Sequence, residues 1–176
     1  MRNLQHEFYN YRRKTLVIRK AEKKDYQSVK ELEELVFKEY RLARPDYFKN
    51  LEDSYTKEEF EKLLSLPCPI AWVAVCEQRI VGLCFGKIYE TPENLVCKAR
   101  KVAYIEDLVT LPEYRSQGVA AKLISKSRKQ AIDEGAESLE LCVWNFNEKA
   151  LKLYEKLGMQ VQYYRMEEKL RSEPYQ

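Results

Sequence analysis

Apolar residues recur along this chain in two rhythms, and each rhythm predicts a different element. Thr15 to Ala21 (TLVIRKA) reads as a strand. From Asp25, a candidate N-cap, Val29, Leu32 and Val36 recur at helical spacing, and that helix is expected to fade near Arg44-Pro45. Residues 44–55 (RPDYFKNLEDSY) are polar, aromatic and broken by proline, the pattern of a loop. Thr56 followed by Glu59 is a capping-box signature for a second helix running to Leu64, with Pro67 and Pro69 beyond its end. Ile70 to Glu77 and Ile80 to Tyr89 are nearly continuous apolar runs around a Gln78-Arg79 turn. They predict an antiparallel hairpin in a sheet covered on both faces.

The second half repeats the alternation of types. Lys101 to Thr110 (KVAYIEDLVT) is a third long strand of this part, Gly118 to Glu134 a helix stopped by Gly135, and Ser138 to Trp144 a further strand. Asn147 to Gly158 is a helix capped by asparagine and ended by glycine, and residues 159–170 alternate enough to predict one bent strand or two short ones. The sum is a mixed α/β chain. With no internal repeat and no Gly/Ser linker, the expectation is a single domain over 15–176 behind a mobile N-terminal extension, 1–14.

Composition narrows the chemistry. A chain of 176 residues suits one domain with a real core. Charged residues make up 34%, yet the signs nearly cancel to a net charge of +3, without the one-sided field of a nucleic-acid binder. The cluster of Arg12, Arg13, Lys14, Lys20, Lys23 and Lys24 has Glu22 and Asp25 beside it and reads as a solvated face, so no nucleic-acid partner is expected. No run reaches the roughly 20 apolar residues of a membrane span, and the first residues lack a signal-peptide core, which points to a cytoplasmic protein without a membrane partner. Cys68, Cys76, Cys84, Cys97 and Cys142 form no C-x-x-C pair and mostly sit in apolar runs, so buried free thiols are expected. The single histidine, His6, leaves no ready metal site and no His-based triad.

One stretch is built to touch something. In YIEDLVTLPEYRSQGVAAKL, residues 104–123, a strand runs through a turn into a glycine that opens a helix. Such a junction leaves backbone N–H groups pointing outward with the positive end of the helix dipole behind them, the makings of an anion seat. Gly118 removes the side chain that would hold a phosphate away, and Arg115 can add charge at the same mouth.

A second pattern follows at the next strand's end, Asn147-x-x-Ala150-x-x-x-Tyr154-x-x-x-Gly158. Together the two patterns resemble the Gcn5-related N-acetyltransferase superfamily over residues 15–170, most strongly from Tyr104 to Gly158. The resemblance implies an α/β acyl-CoA N-acyltransferase fold, a mixed, mainly antiparallel sheet flanked by helices and split near its central strands. It implies acetyl-coenzyme A as cosubstrate, with no metal. Leu108, Val109 and Thr110 would pair with the pantetheine arm as an added strand would. Arg115, Ser116, Gln117, Gly118, Val119, Ala120 and Ala121 would hold the pyrophosphate, and Asn147 would add a contact. Ser116 and Ala120 stand where the family often has glycine. The run Tyr-Ile-Glu106-Asp-Leu with PEYRSQG is similar to spermidine/spermine-type acetyltransferases, over a stretch too short to set the substrate.

The implied reaction is acetyl transfer to a primary amine of a small molecule or peptide by direct attack in a ternary complex; the alternative is an acetyl-coenzyme A sensor or interaction module with little turnover. Glu106 would take the amine proton, directly or through water. In a regular strand it alternates with Asp107, so the two carboxylates are expected on opposite faces. Tyr154 would supply a proton to the departing sulfur, although Ala150, Leu151, Tyr154 and Leu157 also fall at core-facing helical spacing. Asn147 is also a natural N-cap. The acceptor would meet Tyr40, Arg41, Arg44, Asp46, Tyr47, Phe48, Glu52, Asp53, Tyr55, Tyr163 and Tyr164, a mixed set without the acidic excess a polyamine would want. Thirteen tyrosines suit a homodimer surface as readily as a substrate cleft.

Overall fold

The long apolar runs lie side by side as one sheet. The computed structural model describes residues 15–50 and 55–170, in two compact units that divide between Cys142 and Val143. His6, Arg12, Arg13, Lys14, Glu52 and Asp53 lie outside the described residues.

The first unit runs β1 (Leu16–Lys20), α1 (Tyr26–Ala43), α2 (Lys57–Leu64), β2 (Pro69–Cys76), β3 (Arg79–Thr91), β4 (Arg100–Thr110), α3 (Val119–Asp133) and β5 (Ser138–Leu141). The strands lie in chain order, antiparallel from β1 to β4, with β5 parallel to β4. This is the mixed, mainly antiparallel sheet expected from the sequence. Both faces are covered, which is why β2 and β3 are apolar on successive residues. On one face Phe60 of α2 meets Phe85 of β3 at 5.8 Å between ring centroids; on the other, Cys84 of β3 lies 3.2 Å from Ser127 of α3. Each such large apolar side chain taken fully from water stabilises the fold by roughly 1.5–3 kcal/mol. Thr56 and Glu59 close the capping box of α2 by reciprocal bonds to each other's backbone N–H groups.

Four local readings need correction. The hairpin turns on Glu77 and Gln78, one residue earlier than expected, and both have positive φ (48° and 67°), the hand that matches strand twist in a two-residue turn. Strand β5 stops at Leu141 instead of Trp144, because its ladder with β4 ends at Ile105↔Leu141, where β4 bulges. Residues 159–170 form no strand among the described residues, and Val161, Tyr163, Tyr164, Met166 and Leu170 are exposed. Alternation supplies a strand with a face, but a strand also needs a neighbour's N–H and C=O groups. Of the cysteines, Cys76 and Cys84 are buried, whereas Cys97 and Cys142 are exposed; all are free.

Asp25 does not cap α1 through its side chain. Its carboxylate accepts two hydrogen bonds from Arg19, at 2.6 and 2.8 Å, and one from the Glu22 N–H at 2.8 Å, pinning the end of β1 to the turn before α1. Burial alone would raise this carboxyl; the Arg19 and Glu22 bonds and the charges of Arg19 and Lys24 outweigh it and hold it below the ordinary range. A carboxyl lowered on folding stabilises above its unfolded pKa and loses that contribution as pH falls through the folded value. Asp25→Ala is therefore expected to cost about 2 kcal/mol at pH 7 in urea denaturation, a difference that shrinks below about pH 4.

In the second unit, α4 (Glu148–Lys156) begins at Asn147, whose side-chain oxygen accepts the Ala150 N–H at 3.2 Å. Gly158, at φ 83°, ends it, as the sequence predicts.

Candidate functional site

The turn between β4 and α3 holds an open set of donors. After a single 3-10 turn at Pro112–Tyr114, the chain takes positive φ at Ser116 (61°) and at Gly118 (80°). The first bond of α3 runs from the Lys122 N–H to the Gly118 carbonyl, so the N–H groups of Val119, Ala120 and Ala121 precede the ladder and have no side-chain cap. A Cβ built on Gly118 would meet nothing within 4 Å, so the mouth is open. The positive φ at Ser116 also explains why glycine suits that position. Gln117 donates to the Glu113 carbonyl at 2.7 Å, and Arg115 donates to the Thr110 carbonyl at 3.2 Å and to Glu39 of α1 at 2.8 Å. Arg115 thus braces the loop to α1, rather than standing at its mouth as an unpaired charge.

The strand leading into this loop has an open edge. β5 pairs with β4 only from Val102 to Ile105, so Glu106 to Thr110 have no strand neighbour on that side among the described residues. This is the split expected near the central strands, and it can accept an extended group as an added strand. Thr110 pairs with Gly82, on the face covered by α3, and its hydroxyl oxygen is buried without a hydrogen-bond partner. A buried orphan hydroxyl, an unpaired strand edge and outward amides fit a ligand with an extended polar arm and an anionic end.

The same strand carries the carboxylates, and here the sequence expectation fails. Phe85 pairs with Asp107 and Gly86 with Ile105, so Glu106 is the extra residue of a β-bulge. The bulge breaks the alternation and sets Glu106 and Asp107 on one face, that of Phe85, α1 and α2. Glu106 is joined to Lys87 at 2.8 Å, and both are well exposed. Asp107 is half-buried; burial, with Glu106 adding to it, pushes its carboxyl up to about 6. Glu33 of α1 is 1% exposed, and one of its carboxyl oxygens has no partner. Burial, and then the charge of Asp107, hold Glu33 well above the ordinary carboxylate range. The sequence reading missed Glu33, although its position beside Leu32 and four residues after Val29 places it on the apolar face of α1.

Around the end of α1, the expected acceptor residues form a self-paired cluster. Tyr40 and Phe48 are 5.4 Å apart, Tyr47 and Phe48 are 5.1 Å apart, and Arg44 binds Asp46 at 2.9 Å. Burial raises the phenols of Tyr40 and Tyr55, with Asp107 and Glu33 adding to both shifts.

Comparison with known proteins agrees with this geometry. The acetyltransferase (GNAT) family matches residues 30–159. A thialysine N-epsilon-acetyltransferase of Bos taurus is 43% identical over 63 residues, which is 36% of this chain and 36% of that protein; the match spans only about a third of that relative's length. The solved structure of a tetramutant of the BH1408 protein of Bacillus halodurans is 27% identical, with a TM-score of 0.83 over 88% of this chain and 99% of that one. An aminoglycoside N-acetyltransferase, AAC(6')-Iy in complex with CoA, shares the fold at 18% identity, with a TM-score of 0.69 over 92% of this chain and 98% of that one. With a family match across most of its length, on a fold whose split sheet edge runs into an open helix start, the chain belongs to the acetyltransferase (GNAT) family.

Proposed function

We propose that the chain transfers the acetyl group of acetyl-coenzyme A to a primary amine of a small molecule or peptide, by direct attack within a ternary complex. The observation that carries this reading is the continuity of the open β4 edge with the unpaired amides at the start of α3. The backbone of Leu108, Val109 and Thr110 would hold the pantetheine arm. The amides from Ser116 to Ala121 would hold the pyrophosphate, with Asn147 of α4 as a further contact. When bound, acetyl-coenzyme A supplies an acetyl group already activated as a thioester.

The residues of the chain have two proton tasks. An alkylamine with a pKa near ~10.4 enters as an ammonium ion and must lose a proton before it can attack. A carboxylate at the β4 bulge, Glu106 or its neighbour, takes it. The phenol of Tyr154, protonated at neutral pH, provides the proton for the departing sulfur. A small-molecule acceptor is in keeping with a relative named for thialysine. Action in the cytoplasm and as a homodimer belongs to the same proposal, and the exposed Tyr163 and Tyr164 offer contact surface for the homodimer.

The test is thiol release from acetyl-coenzyme A against a panel of thialysine, lysine, polyamines, aminoglycosides and peptides. Turnover on one amine class is expected, with Tyr154→Phe at least ~10-fold slower in kcat. If acetyl-coenzyme A binds but the wild type releases no thiol with any of these amines, the transferase reading gives way to the sensor.

A further inference from the structure

The sequence points to Glu106 as the base, but the structure gives that residue another occupation. Its carboxylate is held by Lys87 at 2.8 Å in an exposed ion pair, whose strength raises the Lys87 ammonium above its ordinary pKa. One oxygen of that carboxylate is thus occupied by the Lys87 ammonium. Asp107 sits one residue on, turned to the same face by the bulge, and among the described residues no ion pair satisfies it. It is half-buried against α1, next in the chain to the open edge formed by Leu108, Val109 and Thr110.

A second observation points to a ligand at this place. The Glu33 carboxyl, near enough for the Asp107 charge to act on it, is 1% exposed, with one oxygen lacking a hydrogen-bond partner among the described residues. A buried polar atom without a partner is costly and calls for an explanation, a bound group being one. Among the described residues no cation offsets Glu33, and Asp107 is the charged group whose field raises it. Among the described residues, the titratable groups within reach of the Asp107 charge include Glu33 and Tyr40 of α1, Tyr55 ahead of α2, Glu106 within β4 and the Cys84 thiol of β3, with Lys87 of β3 bound to Glu106. Two carboxyls and two phenols within reach of one another's charge favour an ammonium group over an anion at this place.

We propose that Asp107, and not Glu106, accepts the proton of the incoming amine, in a recess backed by Glu33 that selects an ammonium-bearing acceptor. The inference rests on the acetyl-transfer reading. An N–H bond of the ammonium breaks, an O–H bond forms on an Asp107 oxygen, and the electron pair stays on nitrogen, free to attack; Asp107 afterwards returns the proton to water. Burial, and then the charge of Asp107, favour the protonated form of Glu33. Glu106, locked to Lys87, flanks the entrance.

The experiment is kcat/KM against pH, with the best amine of the panel, for the wild type, Asp107→Asn, Glu106→Gln and Glu33→Gln, alongside calorimetry of acetyl-coenzyme A binding. In the wild type kcat/KM should fall about tenfold per pH unit below pH ~6. Asp107→Asn should lose at least ~100-fold at pH 7.5 and lose that acid limb, while its acetyl-coenzyme A affinity, a sign of intact folding, stays unchanged. Glu106→Gln should lose under ~10-fold and keep the limb, as should the limb in Glu33→Gln, whose side chain copies the protonated form. If Asp107→Asn stays within tenfold of wild type, or Glu106→Gln proves the more damaged, the assignment of Asp107 falls and the acetyltransferase reading survives. If the wild type acetylates no amine in the panel, both fall together.

Discussion

A Gly118→Glu chain is expected to fold and to lose acetyl-coenzyme A. The substitution puts a carboxylate in front of the unpaired amides of Val119, Ala120 and Ala121, where the pyrophosphate would sit. Two effects bear on folding, and they oppose each other. A non-glycine residue at φ 80° is strained by about 1–2 kcal/mol; a carboxylate at a helix N-cap regains part of that by accepting the amides itself. No atom lies within 4 Å of the new Cβ, so no clash is added. For binding both effects act in one direction, since the side chain occupies the donors and repels the ligand. Calorimetry should show affinity weakened by at least ~100-fold, about 2.7 kcal/mol, with a near-normal melting curve. Gly118→Ala, which shares the strain but not the charge, should lose far less. An unchanged affinity in Gly118→Glu would remove the pyrophosphate from this loop.

Gly86→Ala should have the larger effect on stability. A Cβ at this position would stand 2.0 Å from the Tyr104 carbonyl oxygen and 3.0 Å from the Ile105 Cα, both backbone atoms of β4. No rotamer relieves such a contact; the two central strands must part. Gly86 faces Ile105 across the bulge that brings Glu106 and Asp107 to one face, so stability and site geometry would fail at the same point. Urea denaturation should show a loss of about 3 kcal/mol or more, a large share of the 5–15 kcal/mol typical of a domain. A cost below about 1 kcal/mol would mean that the strands yield easily and that glycine is not what permits the bulge.

Elements that depend on local chemistry were legible in the sequence. The Thr56–Glu59 capping box, the Asn147 cap and the Gly118, Gly135 and Gly158 helix boundaries all follow from neighbours a few residues apart, and all stand in the structure. What depends on pairing was not. Nothing in KVAYIEDLVT announces a bulge, because the extra residue exists only relative to β3; a regular alternation therefore put Glu106 and Asp107 on opposite faces. Residues 159–170 show the converse, a strand-like pattern with no neighbour to make it a strand. Glu33 was passed over because a carboxylate on the apolar side of a helix is normally a solvated edge residue, and only the packing of α1 over β4 closes it in. Arg115 was read as a charge at the mouth of the loop; that Glu39 of α1 pairs with it depends on the packing of α1 and could not be read from the sequence.

The Arg115–Glu39 tie bears on how a ligand arrives. An arginine matched by its own chain projects little field beyond the surface, and a net charge of +3 adds no strong general attraction. An anionic nucleotide is then not drawn in from a distance. On the proposed reading it would be caught on contact, by peptide dipoles that act over a few ångströms, so capture would follow ordinary diffusion and the shape of the loop, and competing anions in the surrounding solution would gain no long-range advantage either.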